Sequence, residues 1–114
     1  MNKQSLQELR DKVDGNKIGP IWYCKPETGF VGEIPRLIYK ASYKNSLDAA
    51  VAFLKAVLPE WSWGVQRTYE GSFLASVGQF TAPNMVRNRF ETHADTPARA
   101  LLLATLDALI ERAE

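Results

Sequence analysis

The chain is poor in the residues that most catalytic, metal-binding or extracellular proteins use. A single cysteine, Cys24, excludes an intrachain disulfide and suits a reducing cytoplasm. Around it Ile21 and Tyr23 alternate with Trp22 and Cys24, so the thiol is expected inside a strand rather than in a reactive setting. A metal site built on Cys24 and the single histidine, His93, would need carboxylates to complete it, and no ligand spacing supplies them. No apolar run approaches the ~20 residues of a membrane-spanning helix. Met1-Asn2-Lys3-Gln4-Ser5 leads into no apolar core, so no signal peptide is expected. Charge of one sign is not in excess either. Fourteen Lys and Arg against thirteen Asp and Glu give +1, which argues against strong non-specific adhesion to nucleic acid. The slight basic surplus is N-terminal, with eight basic and five acidic residues in positions 1–45.

Catalytic and phosphate-binding signatures are missing as well. No G-x-G-x-x-G, G-x-x-x-x-G-K or G-x-S-x-G occurs, and Gly15-Asn16-Lys17-Ile18-Gly19 has no strand before it, so it reads as a connecting loop. Glu27 and Glu33 flank one presumed hairpin and Glu60 and Glu70 another, and nothing in sequence brings them together. His93 lies in Glu91-Thr92-His93-Ala94-Asp95, close to a hydroxyl and a carboxylate but without a strained nucleophile turn. A polar connector ahead of a helix explains it best. No cofactor is expected, and no enzyme.

What remains is the composition of one folded domain: 114 residues, 46% hydrophobic and 24% charged, spanning 1–114 as a single unit. Ser5-Leu6-Gln7-Glu8 fits a capping box, and Leu6, Leu9 and Val13 recur at helical spacing before Asp14-Gly15. That stripe is thin, so a short, loosely docked helix is expected. Ile21–Lys25 alternates and ends at the turn Pro26-Glu27-Thr28-Gly29, with Phe30-Val31 as the returning strand. Gly32 and Pro35 interrupt pairing, which leaves Leu37–Tyr39 as an edge strand or a loop.

The clearest element is Ser46–Leu58. Leu47, Ala50, Val51, Leu54, Val57 and Leu58 form one apolar stripe, Asn45 or Ser46 caps it, Pro59 stops it, and Phe53 falls at the margin. Trp61, Trp63 and Val65 then share a strand face against Ser62, Gly64 and Gln66. Ser72–Phe80 returns antiparallel with Gly71 in the turn. Val86–Thr92 adds an edge strand, with Arg87, Arg89 and Glu91 alternating against Val86, Asn88 and Phe90. Thr96 caps a last helix that Pro97 opens, with Leu102, Leu103, Leu106, Leu109 and Ile110 inward and Arg99, Asp107, Glu111 and Arg112 outward. The expected fold is therefore α+β: an antiparallel sheet of four to five strands, helices 46–58 and 97–113 packed on one face, and a short N-terminal helix.

Two segments carry aromatic and basic residues in a pattern that suits recognition. Tyr39, Lys40, Tyr43 and Lys44 interleave rings and ammonium groups, and Arg87 and Arg89 add a guanidinium pair. Rings and cations together can hold bases or nucleotides, and the same residues can equally decorate a solvated edge.

The order of signals, Ser46-Leu47-Asp48-Ala49-Ala50, then Leu58-Pro59-x-Trp61-x-Trp63-x-Val65, then Ala75-x-Val77, then His93-Ala94-x-Thr96-Pro97-Ala98-x-Ala100-Leu101, resembles small bacteriophage and prophage accessory proteins of the phage ABA-sandwich type. The resemblance covers roughly residues 43–113, and its motifs are structural, so no catalytic residue is carried over. It implies a phage-encoded protein in the cytoplasm of a host bacterium that inhibits a defence system by occluding a protein surface, anti-CRISPR-like or related. Tyr39, Lys40, Tyr43, Lys44, Arg87 and Arg89 are the candidate contacts. Sequestration of a nucleotide signalling molecule is the alternative, a small enzyme around His93 a third, and a phage structural or housekeeping role without a host target a fourth. An exposed sheet edge also allows a homodimer.

Overall fold

A computed structural model describes residues 3–15, 32–82 and 85–112. In chain order the elements are α1 (Lys3–Asp14), α2 (Ile34–Ser42), α3 (Leu47–Val57), β1 (Ser62–Arg67), β2 (Phe73–Ala82), β3 (Met85–Ala94) and α4 (Pro97–Arg112). The strands form one antiparallel sheet in the order β1-β2-β3. The α+β class is as expected. The strand number is smaller, three among the described residues, for two reasons. Ile21–Lys25 and Phe30-Val31 lie outside the described residues, as does Cys24. Leu37–Tyr39 is not a strand but the middle of α2.

The helical outcome at α2 follows from Pro35, which sits in the first turn of the helix, where an N–H would have no intrahelical partner. From there Ile34, Leu37, Ile38 and Ala41 recur at helical spacing and turn toward the core. Asn45, with φ +55°, then reverses the chain. Ser46 is the N-cap of α3, its Oγ accepting from the Ala49 N–H at 3.2 Å. Phe53 is fully buried rather than marginal, because α3 packs against both α2 and α4 and so buries a wider face than its leucine stripe.

Helix α1 departs from expectation at its start. It begins at Lys3, so Ser5 lies inside it and no capping box forms; Glu8 instead accepts from the Gln4 side-chain amide at 3.3 Å. Nor is it loosely docked. Leu6, Leu9 and Val13 are all fully buried against the core.

Hairpin β1–β2 closes through Tyr69-Glu70-Gly71. The Gly71 N–H donates to the Thr68 carbonyl at 3.2 Å, and the Thr68 N–H donates to the Ser72 carbonyl at 2.9 Å. Gly71 has φ +85°, the left-handed geometry that a three-residue hairpin loop requires at its last position. The register pairs Trp63 with Val77 and Val65 with Ala75 across β1–β2, and Val77 with Phe90 and Ala75 with Thr92 across β2–β3. These rows make the inner face, where Ala75 and Val77 are fully buried. Trp61, just before β1, is buried and stacks on Phe90 with ring centroids 6.2 Å apart.

Helix α4 holds the fold together. Thr96 caps it, accepting from the Arg99 N–H at 3.2 Å, and every residue from Leu101 to Leu106 is buried. One face covers the sheet and the others meet α1, α2 and α3. Of the two helices expected to pack on one face of the sheet, only the later one does so directly. Helix α4 is the one laid on the strands, and α3 packs on α4 and α2. A helix apolar all round must be covered all round, and a three-stranded sheet covers only one side. The supposed wet side of α4 is partly interior for the same reason. Asp107 is only a quarter exposed and pairs with Arg10 of α1, while its second oxygen accepts from the Thr92 hydroxyl of β3 at 3.2 Å. The Arg10 pKa is raised, chiefly by its hydrogen bond to Asp107, with desolvation opposing.

Candidate functional site

The face of the sheet turned away from α4 is built by the alternate residues of the same strands. Register sets Ser62 beside Gly78, Gly64 beside Ser76 and Gln66 beside Leu74, then Ser76 beside Glu91 and Leu74 beside His93. Four of these side chains, Ser62, Gly64, Ser76 and Gly78, are small, so the sheet surface is sunken there. The result is a shallow groove of about 260 Å³ lined by those residues together with Arg89 and the strands at Trp63 and Val77. It continues past Gln66 and Leu74 as a second depression of about 190 Å³. A Cβ added at Gly64 would meet the Ser76 Oγ at 3.8 Å, an ordinary contact. The floor is therefore open by composition, not by steric demand.

One side chain gives the groove its charge. Arg89 Nε lies 3.0 Å from Glu91 Oε1, with the two side chains 58% and 43% exposed. Such an open pair contributes little to stability, about 0–1 kcal/mol, so the guanidinium can exchange this carboxylate for another. Trp63, on the edge strand β1, is 41% exposed. Sequence alternation placed it in the core beside Trp61, but the sheet ends at β1 among the described residues and leaves the ring half uncovered.

The expected contact residues separate. Arg89 borders the groove. Arg87 stands opposite Gln79, beyond a register shift that falls between Val77 and Gln79 on β2. Tyr39, Lys40, Tyr43 and Lys44 lie at the end of α2 and just past it, and α2 packs on α3 and α4, away from the outer sheet face. There Tyr39 and Tyr43 stack with centroids 5.5 Å apart, and the Lys44 ammonium lies 5.6 Å from the Tyr43 ring centre. Rings and guanidinium are therefore not assembled into one site.

His93 is exposed on the outer face in the row of Leu74. Its neighbour Thr92 points the other way, to Asp107, so the adjacent hydroxyl does not converge with the imidazole. Among the described residues, no group of three His, Cys, Asp or Glu side chains is placed to hold a metal, and no helix is long and apolar enough to cross a membrane. The sequence reading missed the groove itself. Its signal was the small and polar half of each alternating strand, Ser62-x-Gly64 and Ser76-x-Gly78, which marks an uncovered face as clearly as the bulky half marks the core.

No family model, curated protein or solved structure matches the chain.

Proposed function

We propose that the chain is a non-catalytic binding protein that covers a surface of a partner protein with its outer sheet face, in the anti-defence setting implied by its resemblance to phage accessory proteins. The observation that supports this is the sunken floor of Ser62, Gly64, Ser76 and Gly78 beside Arg89. A low floor lets a partner's side chains approach the strands closely. Arg89 adds a residue type that often carries binding energy at protein interfaces. The groove is open and divided into two shallow depressions, each smaller than the ~300–1,000 Å³ of typical small-molecule pockets. That favours insertion of side chains over enclosure of a nucleotide, and the separation of the Tyr39–Tyr43 stack from Arg89 weighs the same way.

The test is affinity capture from a bacterial host with the wild type, Arg89→Glu and Gly64→Leu, each first matched for thermal stability. One partner protein should be retained by the wild type, and each substitution should weaken its binding by about tenfold or more, or ~1.4 kcal/mol. Undiminished capture by both variants removes the outer face as the binding surface. Release of a nucleotide on denaturing the purified protein, seen by mass spectrometry, replaces this reading with sequestration.

A further inference from the structure

Among the described residues the sheet has two edges, and they are not alike. Strand β3 pairs with β2 through two register shifts and carries Arg87, Arg89 and Glu91, features that keep an edge from joining another strand. Strand β1 pairs with β2 over Ser62–Arg67 without a shift, contains no proline, and has one charged residue, Arg67, at its end. The direction of its backbone groups follows from the hairpin. The Thr68 N–H donates to the Ser72 carbonyl at 2.9 Å, so Thr68 turns toward β2. In an antiparallel ladder such residues alternate, so Gln66, Gly64 and Ser62 also turn their N–H and C=O groups to β2. Trp63, Val65 and Arg67 then turn theirs to the open side. The Trp63 side chain is 41% exposed, and Arg67 is exposed as well.

We infer that β1 pairs antiparallel with β1 of a second copy about a two-fold axis at Val65, setting Trp63 of each copy opposite Arg67 of the other. The outward groups on Trp63, Val65 and Arg67 are symmetric about Val65, so this register pairs every one of them. It also sets a half-uncovered ring across from a guanidinium on the same face, twice, with a β-branched pair of Val65 side chains between them. Neighbouring registers do less. An axis at Gly64 puts Arg67 opposite Trp61, whose N–H already donates to the Leu58 carbonyl at 3.1 Å. An axis at Gln66 leaves Trp63 opposite Tyr69 in the turn, and an axis at Arg67 sets guanidinium against guanidinium. A strand of another protein would meet the same backbone groups, but a pattern that complements itself suits a copy of the chain. Six strand residues a side make an interface below ~1,200 Å², so the association is weak. The outer faces of the two sheets join across it, with Gly64 of one copy beside Gln66 of the other. The inference is independent of the proposed function, because it uses the edge of the sheet and not its face.

The experiment is sedimentation of the full chain over a concentration series reaching the millimolar range, with amide hydrogen exchange followed by NMR in the same samples. The wild type should pass from monomer to dimer, and the amides of Trp63, Val65 and Arg67 should gain protection as it does. Trp63→Lys places like charges across the two strands and should weaken the dimer about tenfold or more. Adding Arg67→Glu to that variant should restore the dimer, because opposite charges then meet, whereas a contact in any other register would not be rescued. Arg89→Glu should dimerise as the wild type does, so that failure of the outer-face reading and failure of this one are told apart. A wild type that stays monomeric at millimolar concentration overturns the proposal and leaves the edge to a strand of another protein. So does a dimer that leaves those three amides unprotected, or a double variant that associates no better than Trp63→Lys. The exchange result is read on the wild type alone and holds whether or not the variants fold.

Discussion

At the scale of single residues, the connection between α2 and α3 depends on Asn45. Its φ of +55° lies in the left-handed region, which Asn tolerates and β-branched residues do not. Asn45→Val should therefore destabilise the fold by about 1–2 kcal/mol, whereas Asn45→Gly should leave it nearly unchanged. Chemical denaturation of both variants checks this, and equal stability of Val and Gly at this position would show that the turn relaxes. The sequence reading named Asn45 or Ser46 as the cap without deciding between them. The structure gives the two residues separate tasks, with Asn45 turning the chain and the Ser46 hydroxyl meeting the Ala49 N–H. Caps were legible from residue type alone at Ser46 and Thr96, because a hydroxyl before an apolar periodic run has one obvious use. At Ser5 the same pattern misled, since a helix that starts earlier leaves the hydroxyl inside it.

Among the elements, the leucine-rich helices and the hairpin were legible because their periods, 3.6 and 2, are sustained over many residues. Helix α2 was not, because Gly32 and Pro35 interrupt a strand pattern as readily as Pro35 opens a helix. The Asp107 junction was hidden for another reason. Its partners Arg10 and Thr92 come from elements far apart in sequence, and a charged residue on an apolar helix looks like its solvent side until those elements close over it. The junction ties α1 and β3 to α4, and its loss can be apportioned by a double-mutant cycle. Arg10→Ala should cost about 0.5–1 kcal/mol, as a partly exposed pair does. Asp107→Ala should cost more, about 1–2 kcal/mol, because the Thr92 hydroxyl loses its acceptor as well. Equal effects of the two substitutions would mean that the Thr92 contact contributes nothing. The raised Arg10 pKa fixes the sign of any alkaline effect. A cation favoured in the folded state adds stability below its unfolded pKa and loses it only as pH rises through the folded one. That window lies beyond ordinary buffers, so Arg10 keeps its charge throughout them.

For the whole molecule, what the sequence could not disclose is that the middle of α4 has no outward face. Its residues from Leu101 to Leu106 are all buried, with the sheet on one side and α1, α2 and α3 on the others. An arrangement of this kind joins every described element to one helix, so no part of the fold can open far while the rest stays packed. Unfolding should accordingly be a single transition. Leu103, fully buried, is the place to probe it. Leu103→Ala should remove about 2–5 kcal/mol, a large share of the ~5–15 kcal/mol typical of a natural domain. Two probes read opposite sides of α4. Helical circular dichroism reports largely on the four described helices. Tryptophan fluorescence, read in a Trp22→Phe background so that only Trp61 against Phe90 and half-exposed Trp63 emit, reports on the sheet. Both midpoints should fall together in the variant and coincide in the parent chain. A helical transition separated from the fluorescence transition would mean that the sheet and the helices fold as two units, with α4 belonging to one of them only.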